Sequence, residues 1–296
     1  MTLSDSSPTS PVLVLGATGM LGHRIVQRLS KTRKVVGTIR GEALDDAATA
    51  ALGDVEIIPN VRADDVGGVA SAMEAVAPAA VINCIGVIKQ LKEAKDAIPS
   101  IEINALFPHR VAALAKEHGA RMIHFSTDCV FTGSRGNYAQ TDVADATDLY
   151  GRTKLLGEVA GENCVTIRSS IIGHELRGHK SLVDWFVSQQ GQHIKGFANA
   201  HYAGLNTHAM AELVETILDQ WPDLSGLWHV ASDPINKYDL LHLIRHIYGF
   251  DVTIARDEDF HCDRRLDATP FRERTGWTPT PWPQMIETMF RDYDAR

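Results

Sequence analysis

The stretch Gly16-Ala17-Thr18-Gly19-Met20-Leu21-Gly22 decides how this chain folds. A short apolar run, Val12 to Leu15, precedes it, and a helical pattern from Met20 to Leu29 follows. Its glycines stand three residues apart. At a strand–helix joint that spacing has a physical reading. Gly16 permits the tight turn, Gly19 lets the backbone approach a pyrophosphate, and Gly22 lets the helix pack closely on the strand. The helix N-terminus then offers N–H groups to an anion. Alone the pattern is a weak signal, since a ligand-free turn satisfies it equally. With a strand before it and a helix after it, Gly16, Thr18, Gly19, Met20, Leu21 and Gly22 read as a dinucleotide cradle.

Outward from the cradle, strands and helices alternate. Val35 to Ile39, Val55 to Ile58, Ala80 to Ile85, Met122 to Phe125 and Val165 to Ile167 read as strands. Val66 to Val76, Ile101 to Glu117 and Leu149 to Val159 read as helices. Strands that are apolar on both faces and alternate with helices imply a doubly wound parallel sheet of α/β class. The second half differs: it holds all five tryptophans, Trp185, Trp221, Trp228, Trp277 and Trp282. Its segments are mostly helical, at Leu182 to Gln189, His208 to Gln220, Tyr238 to Tyr248 and Gln284 to Phe290. Short strands at Leu227 to Val230 and Val252 to Ala255 separate them. Residues 11–168 are therefore expected to form the dinucleotide-binding domain. Residues 169–296 are expected to be mainly a smaller mixed lobe, with the segment near 201–222 returning to the first domain. The polar residues 1–10 read as a flexible tail rather than a secretory signal.

Composition narrows the chemistry. A net charge of −8 argues against general nucleic-acid binding, which depends on neutralising phosphates. No apolar run is long enough to span a bilayer. The four cysteines, Cys84, Cys129, Cys164 and Cys262, are far apart, and the histidines show no zinc spacing, so no metal is expected. Reduced cysteines and the absence of a leader point to the cytoplasm.

Cofactor choice falls to the end of the second strand, Gly37-Thr38-Ile39-Arg40. NAD-binding folds usually place an acid there. Arg40 can instead pair with a 2′-phosphate, so NADP(H) is favoured over NAD(H); otherwise Arg40 is a solvated loop cation. Tyr150 and Lys154 lie four residues apart on one helical face. An ammonium beside a phenol favours the phenolate and is expected to lower the tyrosine pKa, fitting Tyr150 for proton transfer. Ser126-Thr127-Asp128 ends the fifth strand, where open α/β sheets bind ligands. A Thr127 hydroxyl there can hydrogen-bond a carbonyl, with Ser126 as the other candidate; capping is the plainer role for either.

Together these residues resemble the extended short-chain dehydrogenase/reductase family, and most of all its dTDP-4-dehydrorhamnose reductase branch. The motifs are the glycine-rich turn, Asn83-Cys84-Ile85-Gly86, Asn104, Ser-Thr-Asp-Cys-Val-Phe-Thr-Gly at 126–133, Tyr-Gly-Arg-Thr-Lys at 150–154 and Leu-Gly-Glu at 156–158. The resemblance implies a Rossmann-type sheet with a C-terminal substrate lobe and a catalytic set of Thr127, Tyr150 and Lys154. It implies that Tyr150 protonates the carbonyl oxygen, that Thr127 orients the carbonyl and that Lys154 holds the cofactor ribose. Asn83, Cys84 and Gly86 would line the cofactor channel, and Asn104 would either brace the site or serve as a buried structural amide. For the substrate, a nucleotide-activated deoxysugar, the expected contacts are Ser126, Asp128, Arg168, Trp185 and Asn206, with Tyr202 near them; Arg264, in a loop before the last helices, either pairs with the nucleotide pyrophosphate or is a solvated or salt-bridged surface cation. Related dehydratases carry Thr-Asp-Glu where this chain has Thr127-Asp128-Cys129, which argues against dehydration. Reduction of a keto group is the leading expectation. An epimerase with tightly bound NAD(P) and a non-catalytic NADP-binding regulatory subunit are the alternatives. The fold's outer helices admit a homodimer, though no stripe commits to one.

Overall fold

A computed structural model describes residues 11–89, 95–178 and 180–294. The expected tail at residues 1–10 lies outside the described residues. Strand β1 (Val12–Leu15) runs through a sheet in which every pairing is parallel. The spatial order is β10 (Gly226–His229), β6 (Cys164–Arg168), β5 (Arg121–Ser126), β4 (Ala80–Asn83), β1, β2 (Val35–Thr38) and β3 (Glu56–Ile58). Alternate residues of the central strands face opposite sides. Val12, Val14, Ile82 and Ile123 enter one hydrophobic cluster, while Leu13, Leu15, Val81 and Met122 enter the other. Helices α1 (Gly22–Leu29) and α2 (Asp46–Leu52) join the first cluster. Helices α3 (Val66–Val76) and α5 (Phe107–Glu117) cover the second. The molecule thus has the expected Rossmann-type architecture. The chain moves from β1 to β2 and β3 on one side, then returns to β4 on the other. That reversal opens a crevice at the carboxyl ends of β1 and β4, where ligands of such sheets bind.

The helix expected from Ile101 begins earlier. Helix α4 (Ala97–Ser100) runs into a π-turn at Ile101–Leu106 and then into α5. Helix α6 (Leu149–Leu156) ends sooner than its apolar pattern suggests.

The second half corrects two expectations. Strand β10 is not part of a separate lobe; it pairs with β6 at the edge of the large sheet. The longest strand there after β12 (Thr253–Asp263) is β8 (His193–Tyr202), which the apolar pattern does not announce. Its inner face is Gly196, Ala198, Ala200 and Tyr202, alternating with more open positions. Small residues suit it because Tyr238 lies so close that a Cβ on Gly196 would stand 2.9 Å from its ring. With β11 (Ile235–Asn236), strands β8 and β12 make a three-stranded mixed sheet, β12 parallel to β8 and β11 antiparallel. Strands β7 (Ile171–Ile172) and β9 (Leu205–Asn206) form a short parallel pair. Helix α7 (Leu182–Val187) follows β7, and α8 (Thr207–Gln220) lies along α1, joined by Arg28–Glu215 and Arg33–Asp219 ion pairs, both at 2.6 Å. Helix α9 (Lys237–Tyr248) backs β8, and α10 (Thr269–Thr275) and α11 (Trp282–Asp294) complete the chain. Among the described residues no helix is long and apolar enough to cross a membrane.

Candidate active site

The glycine-rich turn joins β1 to α1 at the crevice. Gly16 takes φ +80°, a conformation that side chains rarely adopt, and a Cβ on Gly22 would lie 2.1 Å from the Gly16 carbonyl oxygen. Thr38 fastens the turn to β2: its Oγ1 accepts from Gly16 N at 3.3 Å and its carbonyl from Ala17 N at 2.9 Å. Thr18, Gly19 and Met20 form one wall of a cleft of about 140 Å³, and Glu175, Leu176 and Arg177 form the other. Leu21 does not share in this wall, because its side chain is buried in the core. Arg40 is exposed just beyond β2. Arg62 chiefly, with Arg40 behind it, holds the Asp64 carboxyl below its ordinary pKa.

Thr127, Tyr150 and Lys154 meet at the carboxyl end of β5. The reason is a close packing of α6 on the turn after β5: a Cβ on Gly151 would come within 2.3 Å of the Cys129 carbonyl oxygen. Thr127 is buried and caps that turn, accepting from Cys129 N at 3.1 Å and donating to Asp128 Oδ1 at 3.2 Å. Its hydroxyl also lies close enough to Tyr150 to pull the phenol pKa down. Lys154 is buried and donates to the Phe125 carbonyl at 2.7 Å. Gly86 faces it: a Cβ there would stand 4.0 Å from Lys154 Nζ.

The electrostatics correct an expectation. Burial raises the Tyr150 pKa, and nearby Cys129, Asp128 and Asp148 raise it further, outweighing the downward pull of Thr127. The Lys154 ammonium donates to the Phe125 carbonyl. Burial lowers the Lys154 pKa to about 8, against a pull upward from Glu158. Burial also raises Asp128, opposed by Arg264, and pushes the Cys129 thiol up to about 12, so Cys129 remains a thiol.

Several expected contacts are committed elsewhere. Arg168 does not turn toward a substrate; it is buried and grips Glu158 with a two-pronged ion pair at 2.6 Å on each oxygen. Ser126 donates to the same carboxylate at 2.6 Å. Asn83 is buried, accepts from Ile85 N at 3.1 Å and meets the His124 ring at 3.2 Å, so its side chain is a bolt between strands and not a channel wall. Asn206 caps α8, accepting from Ala209 N at 2.7 Å and donating to the Met285 carbonyl. Each buried polar group needs a partner, and these found theirs inside the protein. Asn104 sits in the π-turn and embraces Val87, accepting from its N–H at 2.8 Å and donating to its carbonyl at 3.0 Å. That holds the Gly86 segment open before Lys154. Cys84 is half-buried behind the glycine-rich turn. Arg264 donates to the Phe131 carbonyl at 2.8 Å and faces Asp128 and Cys129. Trp185, on α7, is exposed, and Tyr202 is buried within reach of the charges of Asp128 and Cys129. Sequence reasoning missed Glu158 as an organiser of the site. Glu158 stands in the Leu-Gly-Glu motif, but its role shows only when Ser126 and Arg168 are seen to converge on it.

A family model described as the RmlD substrate binding domain matches residues 10–293. A dTDP-4-keto-6-deoxy-D-glucose reductase of Streptomyces niveus is 29% identical over 259 residues, 81% of this chain and 79% of that protein. The dTDP-4-dehydrorhamnose reductase of Escherichia coli is 26% identical over 244 residues, 79% of this chain and 76% of its own. Among solved structures, the dTDP-4-dehydrorhamnose reductase of Bacillus anthracis in complex with NADP superposes with TM-score 0.76 at 17% identity, covering 96% of this chain and 99% of that one. The Bordetella bronchiseptica enzyme WbmG in complex with NAD superposes with TM-score 0.80 at 16% identity, covering 99% and 96%.

Proposed function

The chain belongs to the RmlD substrate binding domain family, within the extended short-chain dehydrogenases/reductases, and from that membership we propose that it is an NADP-dependent reductase acting on the keto group of a nucleotide-activated deoxysugar. The observation that carries the proposal is the meeting of Thr127, Tyr150 and Lys154 across the crevice from the glycine-rich turn. The residues present fit a dinucleotide. Gly16 opens the turn with its positive φ, and the absence of a side chain at Gly86 leaves the approach to Lys154 clear. When bound there, the nicotinamide supplies a hydride to the carbonyl carbon.

The chain's own residues supply the rest. Tyr150 gives its proton to the carbonyl oxygen as the C–O double bond becomes an alcohol. A phenol whose pKa is raised stays protonated at neutral pH, which suits a proton donor. Thr127, held by Cys129 N, turns its hydroxyl proton from Asp128 to the carbonyl oxygen and so orients the carbonyl toward Tyr150. Lys154, held at the Phe125 carbonyl, presents its ammonium to the ribose. Arg40, exposed past β2, pairs with a 2′-phosphate and sets the preference for NADPH. We assign Arg264, beside Asp128, and the exposed Trp185 to contacts with the substrate. The relatives named for reduction of dTDP-linked sugars support the substrate class.

The test is consumption of NADPH against a panel of nucleotide-linked 4-keto-6-deoxy sugars. Turnover with one member supports the reductase and identifies the nucleotide. No turnover with any of them, while NADPH binds, contradicts it.

A further inference from the structure

The segment between β7 and α7 carries an arginine that no sequence motif singles out. Both ends of this segment are pinned to one buried carboxylate. Asp184 Oδ2 accepts from Glu175 N at 2.6 Å and from Ser181 Oγ at 3.1 Å. Asp184 Oδ1 is hydrogen-bonded to His174 Nδ1 at 2.5 Å, and His174 Nε2 meets the Tyr248 hydroxyl at 2.8 Å. Glu175 Oε2 also accepts from Lys180 N at 2.8 Å. What the segment puts forward is Glu175, Leu176 and Arg177, the wall of the cleft that faces Thr18, Gly19 and Met20. Arg177 spans from this wall to Asp45, the residue that caps α2 beyond β2, and forms an ion pair with it.

A pyrophosphate lying against the glycine-rich turn receives N–H groups from α1 on one side only. Its other side faces the second wall. Among the residues lining the cleft, Arg177 is the cation. A guanidinium has five N–H donors in a planar fork, more than one carboxylate can take up, and it matches phosphate oxygens in pairs. Glu175, the acid on the same wall, has one oxygen engaged by Lys180 N.

We propose that Arg177 is a ligand of the cofactor pyrophosphate, reaching it from the wall opposite the glycine-rich turn, and that Asp45 competes with the pyrophosphate for the same guanidinium. The proposal rests on the dinucleotide reading above and adds a residue to it. Arg40 and Arg177 then divide the work. Arg40 distinguishes NADPH from NADH, and Arg177 binds what the two cofactors share.

The experiment is direct titration of the purified full chain with NADPH and with NADH, followed by nicotinamide fluorescence, with folding checked by circular dichroism. Arg177→Ala should weaken both cofactors alike, by about tenfold, the scale of a single hydrogen bond between charged groups. Arg177→Lys should recover part of that affinity. Asp45→Asn keeps an N-cap for α2 and removes the competing charge, so it should tighten both cofactors. In an Arg177→Ala background the same change should have no effect. Unchanged affinity of Arg177→Ala for both cofactors overturns the proposal. A weakening confined to NADPH also overturns it, by moving Arg177 to the 2′-phosphate. Failure of the unmodified protein to bind either cofactor contradicts the dinucleotide reading itself, a distinct outcome.

Discussion

Tyr150 shows how a residue can be found from its spacing while its chemistry is set by its surroundings. The Tyr150/Lys154 pair was legible, and so was Thr127 at the end of β5. The direction of the tyrosine pKa was not, because burial of the phenol raises it, and Cys129, Asp128 and Asp148, brought close by the fold, raise it further. Removing the phenol hydroxyl with Tyr150→Phe should cut turnover by roughly 10²–10⁴-fold, the usual contribution of a general acid, with cofactor affinity retained. Lys154 gives a stability prediction. Its pKa falls from 10.5 in the unfolded chain to about 8 in the folded one. Between these values the unfolded chain binds the proton that the folded chain releases, so stability attributable to Lys154 rises with pH across that window. Lys154→Met should flatten that rise in denaturant titrations at a series of pH values, and an unaltered slope would contradict the assignment. Arg168 and Asn83 looked like ligand residues because they sit at strand ends. Their partners, Glu158 ten residues before Arg168 and His124 on β5 beside Asn83, fall outside any helical or strand period, so no local pattern reveals the pairing. Breaking the buried Glu158–Arg168 pair with Glu158→Gln should cost about 3–5 kcal/mol, read as a fall in the unfolding midpoint.

At the scale of elements, the strands of the first half were legible because burial on both faces leaves continuous apolar runs. Strand β8 was not. Its inner face is made of glycine and alanine, which carry little hydrophobic signal, and its length comes from pairing with β11 and β12. The far end of β12 is hidden for another reason. Glu258 and Asp259 are exposed edge-strand charges, Asp257 beside them pairs with Lys195 of β8, and the three resemble a loop in sequence. The π-turn at Ile101–Leu106 also escapes a periodic reading, yet it is what lets Asn104 reach Val87 and hold the segment before Lys154. Helix α6 supplies the prediction at this scale. Its approach to Cys129 leaves no room for a Cβ at Gly151, so Gly151→Ala must push α6 off the turn that carries Thr127. We expect a loss of roughly 1–3 kcal/mol in stability and a disproportionate loss of turnover. An unchanged rate in that variant would show that the spacing of Tyr150 from Thr127 does not matter.

Over the whole molecule, the sheet order places everything else. Because the chain reverses direction in space between β1 and β4, the glycine-rich turn and the Gly86 segment open on one crevice, and β5 brings Thr127 to its far side. This much followed from the alternation of elements and one glycine motif. Which parts of the second half join the sheet did not follow, because β10 pairs with β6 across some sixty residues of chain and its sequence reads equally well as a lobe strand. The choice of cofactor also belongs to this scale, since Arg40 stands at the end of β2 and acts only on what the crevice admits. Arg40→Asp should shift the ratio of NADPH to NADH affinity toward NADH, and an unchanged ratio would remove Arg40 from the 2′-phosphate. Above these details stands the assignment of a reductase. Its most direct measurement is the oxidation of NADPH by the unmodified protein and by Tyr150→Phe, with dTDP-4-dehydrorhamnose as the first substrate and other nucleotide-linked keto sugars after it. Turnover that disappears in the variant while NADPH still binds is the expected result. Equal rates in the two proteins, or NADPH binding with no turnover of any such sugar, would contradict it.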